Sequence, residues 1–124
     1  MFSTLLSVAF GGAIGASARY MTGLAAARLF GAGFPMGTIS VNVIGSFLMG
    51  VMFVALAQSG EKSAAFLMTG VLGGFTTFSA FSLDAFQLYE KGEVAMAAIY
   101  VVASVLLSVL ALIAGILLAR GVTV

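Results

Sequence analysis

Residues 70–84 read GVLGGFTTFSAFSLD. The stretch lies inside an apolar run, 64–86, long enough to cross a bilayer. Its middle holds a Gly-Gly pair, two adjacent threonines, and phenylalanines at Phe75, Phe78 and Phe81. Glycine costs about 1 kcal/mol relative to alanine in a helix interior. Non-helical backbone at membrane depth survives only where protein or a polar cavity satisfies it. The stretch therefore predicts a helix broken near its midpoint, at residues 73–76, for a reason other than crossing the bilayer.

The rest of the chain supports a membrane setting. Of 124 residues, 62% are hydrophobic and 7% charged, and the mean hydropathy is +1.23. This composition predicts an all-α integral membrane protein. Four apolar segments, about 2–30, 37–57, 64–86 and 94–119, are each long enough for a hydrocarbon core of roughly 30 Å. They form a single transmembrane domain over 1–124, with short loops around FGAGFP, QSGEK and YEKGE. No Lys or Arg lies in residues 1–10, so the first segment reads as a transmembrane helix rather than a signal peptide.

Four spans put both termini on one side of the membrane. Lys62 and Arg120 fall on that side, and Arg28 and Lys91 on the other, with Arg19 inside the first span. The positive-inside rule needs an excess on one side and finds almost none. The charge balance predicts insertion in both orientations; orientation by a partner or by weak cues is the alternative.

Composition also excludes chemistry. Histidine and cysteine are absent, which removes disulfides, thiol catalysis, histidine proton relays and Cys/His metal sites. The carboxylates Glu61, Asp84, Glu90 and Glu93 read as loop or helix-end residues, so no buried acid–base pair is expected and the chain is not read as an enzyme. GGAIGA at 11–16 lacks the phosphate-loop pattern. Gly11 with Gly15, Gly70 with Gly74, and Ser46 with Gly50 instead form small-xxx-small pairs suited to close helix packing.

Polar residues inside the spans fall in stripes. Thr38, Asn42 and Ser46 share a face of the second span, and Tyr100, Ser104 and Ser108 one of the fourth. Thr76, Thr77, Ser79 and Ser82 interleave with phenylalanines in the third. One such residue alone reads as interhelical hydrogen-bond glue. Three stripes in one small chain point to a polar path. Its lining is rich in donors and has no carboxylate, and phenylalanine edges are electropositive, so the path suits an anion. Two uses stand open for Arg19: snorkelling to the near interface, or the positive wall of an aqueous anion vestibule.

GGAIGASARY (11–20), PMGTISVNVIGSFLMG (35–50) and GVLGGFTTFSAFS (70–82) resemble, in order, motifs of the Fluc or CrcB family of small bacterial fluoride channels. The resemblance implies an antiparallel, dual-topology homodimer of four-helix subunits in the bacterial cytoplasmic (inner) membrane. Two fluoride pathways would run along the subunit interface. Fluoride, the lipid bilayer and a second copy of the chain are the implied partners; no nucleic acid is expected. By motif, the carbonyls of Gly73 and Thr76 would hold a structural sodium ion, Na+, at the two-fold axis. Asn42 looks like the pore asparagine, and Phe78 and Phe81 like the phenylalanines flanking the pores. Tyr100, Ser104 and Ser108 look like a polar track, with Ser79 a nearby donor, and Arg19 matches the arginine of the first helix. Many relatives read TTFSTF where this chain reads TTFSAF, so Ala80 removes a hydroxyl.

An in-plane two-fold axis carries midplane onto midplane, so two broken helices would meet there and offer four carbonyls, as broken transporter helices do for sodium. Fluoride is tightly hydrated, so its pore must replace water with donors yet release the ion. The resemblance implies passive export that lowers fluoride toxicity. A dual-topology drug exporter would need a membrane-embedded carboxylate. A purely structural subunit would leave the polar stripes unexplained.

Overall fold

The computed structural model describes residues 1–31 and 33–123, and among these the regular structure is entirely helical. α1 (Phe2–Phe30) is a single 29-residue helix. It stops at Gly31, whose φ of 77° lies in the left-handed region that glycine enters without steric cost. Pro35 then precedes α2 (Met36–Ala55), at a position where no helical N–H is needed. Ala32, in the FGAGFP loop, lies outside the described residues.

The third helical stretch is composite. α3 (Glu61–Ala64) runs into a π-helix, Ala65–Leu72, then into the short α4 (Gly73–Phe75). Gly73–Phe75 stay helical, so the break falls at residues 76–78, later than the expected 73–76, and the chain resumes as α5 (Ser79–Glu90). The stretch thus begins earlier and ends later than the apolar run 64–86. α6 (Val94–Thr123) follows a turn at Gly92, where φ is 85°.

Among the described residues, three stretches can cross a membrane by length and composition: Met36–Ala55, Glu61–Glu90 and Val94–Gly121. α1 is long enough but carries Arg19, Arg28 and many small residues, and is not among them. Large apolar side chains line the outside of every rod, such as Leu5 and Phe10 on α1 and Leu106 and Leu110 on α6. Water tolerates no such continuous surface, so the chain is a multi-pass membrane protein.

Glycine backbones set the packing. On α1, a Cβ at Gly11 would meet the Phe66 carbonyl and the Gly70 Cα, and one at Gly15 would meet the Val71 carbonyl and the Phe75 N. A Cβ at Gly74 would lie 2.7 Å from the Gly12 carbonyl. The two GxxxG pairs therefore pack against each other within one chain. α2 and α6 make the other close contact: a Cβ at Gly50 would strike the Leu112 carbonyl, and one at Gly115 the Phe47 carbonyl. These two seams hold the broken stretch on one side and leave α6 beside α2 on the other.

Candidate functional site

Side chains from three directions make the break. Thr76 is extended, with φ −86° and ψ 162°, and turns the chain out of the helix. A continuous α-helix would pair the Thr77 N–H with the Gly73 carbonyl, and the Ala80 N–H with the Thr76 carbonyl. Both donors are diverted. Thr77 N donates to Asn42 Oδ1 at 2.8 Å, and Ala80 N donates to Thr77 Oγ1 at 3.1 Å. Asn42 Nδ2 donates back to the Thr77 carbonyl at 2.9 Å, and Arg19 Nε donates to the Gly74 carbonyl at 3.1 Å. Gly74 and Thr77 thus have side-chain partners for their carbonyls. Among the described residues, no side chain and no backbone N–H from outside the helices bonds the carbonyls of Gly73 or Thr76. Gly73 lies on the exposed surface of the chain.

Asn42 borders a cleft of about 320 Å³ walled by α2, the break, α5 and α6. Ser46, Phe78, Phe81, Ser104 and Ser108 share its lining, and no charged residue does. A carboxamide has two N–H groups. One of Asn42's is held by Thr77, which leaves the other, while its oxygen is committed to the Thr77 N–H. Ser104 is 4% exposed, and its Oγ has no hydrogen-bond partner among the described residues. A buried hydroxyl without a partner is costly, and this one belongs to a lining of donors.

The phenylalanines differ. Phe81 is 8% exposed and packs on Tyr100, with centroids 5.3 Å apart; Phe78 is 75% exposed and tilts over Phe81 at 5.4 Å. Phe78 therefore needs a neighbour from outside the chain, either lipid or a second copy.

A second cleft, about 390 Å³, opens between α1, α2 and α5 and is lined by Arg19, Thr38, Thr77, Ala80 and Asp84 among others. Here the reading of the carboxylates needs correction. Asp84 is not at a helix end: it lies within α5, because that helix continues to Glu90. Its Oδ2 accepts from Thr38 Oγ1 at 2.6 Å and from Tyr100 OH at 3.1 Å. The carboxylate is thus inside the third long apolar stretch but lines the other cleft, away from Ser104 and Ser108.

Asp84 also divides the stripes. Thr38 and Tyr100 turn to it, while Asn42, Ser46, Ser104 and Ser108 face the uncharged cleft. Tyr100 is 0% exposed and stands behind Phe81 rather than in the cleft lining. Ser79 Oγ lies 3.4 Å from Thr77 Oγ1 and is exposed. Asp84 and Thr77 are the polar residues that sequence reasoning undervalued. A lone carboxylate at position 84, within the apolar run 64–86, was the available signal.

Residues 6–116 match the family model described as CrcB-like protein, Camphor Resistance (CrcB). The chain belongs to the CrcB family. Two relatives extend the match over nearly the whole length. The fluoride-specific ion channel FluC of Cereibacter sphaeroides (strain ATCC 17029 / ATH 2.4.9) is 62% identical over 121 residues, 98% of each chain. That of Paracoccus denitrificans (strain Pd 1222) is 52% identical over 122 residues, again 98% of each. A third CrcB relative, also named a fluoride-specific ion channel, comes from Rhizobium johnstonii; it is 52% identical over 117 residues, 92% of this chain and 94% of its own. The family's named members are thus channels, not enzymes.

Proposed function

We propose that the chain is a passive, fluoride-selective channel that lets fluoride leave the cytoplasm and so lowers its toxicity. The names of its relatives support this. The observation that carries it furthest is the uncharged cleft: an oriented Asn42 N–H, the unpartnered Ser104 hydroxyl, Ser108 and the Phe81 ring lie together with no carboxylate. Donors there replace hydration water, and the aromatic edges contact the ion weakly enough to release it.

The working unit is an antiparallel homodimer of four-span subunits in the cytoplasmic membrane, with two pores at its interface. Phe78 supports this because three-quarters of it is uncovered in one chain. The freed carbonyls of Gly73 and Thr76 support a shared cation site. They are neutral oxygen donors of the kind that suits a hard cation, and two copies would supply four. A sodium ion bound there would supply positive charge and tie the two breaks together. Within the chain, Asn42 and Thr77 hold those carbonyls clear of helical partners. Phe78, Phe81, Ser79, Ser104 and Ser108 line or border the path, and Tyr100 backs Phe81.

Liposomes containing only this protein test the reading. Rapid fluoride efflux with negligible chloride efflux is expected; equal loss of both ions overturns it. Tags at both termini should be reachable from both faces of the membrane across a cell population, and access from one face only would remove dual insertion.

A further inference from the structure

We propose that Arg19 is a positioning residue for the helix break, acting through its Nε–H rather than through its charge. The inference rests on the fluoride-channel reading for its flux measurements, but its geometry stands apart from that reading. Gly11, Gly15 and Arg19 are four residues apart and form one stripe on α1. The first two seat the half-helix backbone against α1, at Phe66 to Gly70 and at Val71 to Phe75. Arg19 continues the same seam and bonds the Gly74 carbonyl, 55 residues away in sequence.

That carbonyl would pair with the Phe78 N–H in an unbroken helix, and the extended Thr76 prevents it. Asn42 on α2 holds Thr77 on the far side of the same turn. The break is therefore pinned from α1 and from α2, one residue pair on each side of Thr76. Snorkelling does not describe Arg19: a side chain drawn out to the interface would not have its Nε bound to backbone at the middle of Glu61–Glu90. Nor does a bulk positive wall require Nε in particular. The donating atom is the fourth from Cα, which places it within reach only because glycines bring the two backbones together.

This atom suggests the test. Glutamine carries an N–H donor, Nε2, at the same position along the side chain as arginine's Nε, without the charge. Lysine keeps the charge and moves the donor one atom outward. Methionine keeps the length and has no donor. Fluoride efflux from liposomes would be measured for Arg19→Gln, Arg19→Lys and Arg19→Met, alongside the carbonyl carbon resonance of labelled Gly74. Leaving a part-buried acceptor such as the Gly74 carbonyl without a donor weakens an interaction by about tenfold or more. Arg19→Gln should therefore keep flux within about threefold of the parent, while Arg19→Met falls by about tenfold or more. The Gly74 resonance should move in Arg19→Met and stay near its parent position in Arg19→Gln.

Normal flux in Arg19→Lys with loss in Arg19→Gln would overturn the proposal in favour of charge. Parent-like flux and an unmoved resonance in Arg19→Met would overturn it in favour of a passive side chain. If the parent protein itself carries no fluoride, the channel reading fails, and the resonance alone decides whether Arg19 holds Gly74.

Discussion

Asn42 and Thr77 exchange two hydrogen bonds, Nδ2 to the Thr77 carbonyl at 2.9 Å and Thr77 N to Oδ1 at 2.8 Å. A side chain here completes a backbone pairing that the helix gave up. The exchange also fixes which end of the carboxamide is which, because the oxygen must face the Thr77 N–H.

Asn42→Asp should break one half of this exchange and keep the other, in which Thr77 N–H donates to the side-chain oxygen. A carboxylate accepts but does not donate, so the Thr77 carbonyl loses its partner and faces a negative group. The same negative charge would stand beside the uncharged cleft. Fluoride efflux should fall by about 100-fold or more, the order by which rate falls when one oriented donor is removed from an oxyanion hole. Efflux within a few-fold of the parent would show that Asn42 is not the donor that orders the path.

Phe81→Ile should slow fluoride flux strongly while the protein stays assembled. Isoleucine keeps an apolar side chain against Tyr100 but removes the aromatic ring that borders the cleft. Gel filtration reads assembly and efflux reads the path. Unchanged flux would assign Phe81 to packing alone.

Asp84→Ala should destabilise the protein more than Asp84→Asn. Alanine strands the buried Tyr100 hydroxyl, at about 1–3 kcal/mol, and takes the acceptor from half-buried Thr38. Asparagine keeps an accepting oxygen. Thermal unfolding in detergent measures the difference, and equal midpoints for the two variants would contradict the assigned bonds. Because Tyr100 backs Phe81, the alanine variant should also lose flux.

The glycines should separate sharply. Nothing lies within 4 Å of a Cβ built at Gly12, so Gly12→Ala should be neutral or stabilising by up to about 1 kcal/mol through helix propensity. Gly15→Ala and Gly115→Ala would drive a methyl into facing backbone, at Val71 and Phe47 respectively. Both should lower the yield of folded protein. Retention of normal yield by Gly15→Ala would show that α1 and the half-helix can separate without loss.

Much of this was legible in residue order. Apolar runs of bilayer length and the near-absence of charge determined an all-helical membrane protein, since lipid leaves a chain few other ways to satisfy its backbone. The Gly-Gly-Phe-Thr-Thr run announced a break in this helix, because propensity is local, but set it at 73–76; the glycines stay helical and the chain leaves the helix at 76–78. Spacing of three and four residues placed Thr38, Asn42 and Ser46 on one face and Tyr100, Ser104 and Ser108 on another.

Periodicity cannot say what a face meets. Only the tertiary structure divided those stripes, turning Thr38 and Tyr100 toward Asp84 and leaving Asn42, Ser46, Ser104 and Ser108 at the uncharged cleft. Only it showed Asp84 inside a helix, because the apolar signal fades at 86 while the hydrogen-bonded helix runs on to Glu90. The same holds for Arg19 and Gly74, whose contact depends on how closely two glycine-lined backbones approach. Local sequence sets which bonds a backbone can give up; distant side chains decide which of its carbonyls are then left free.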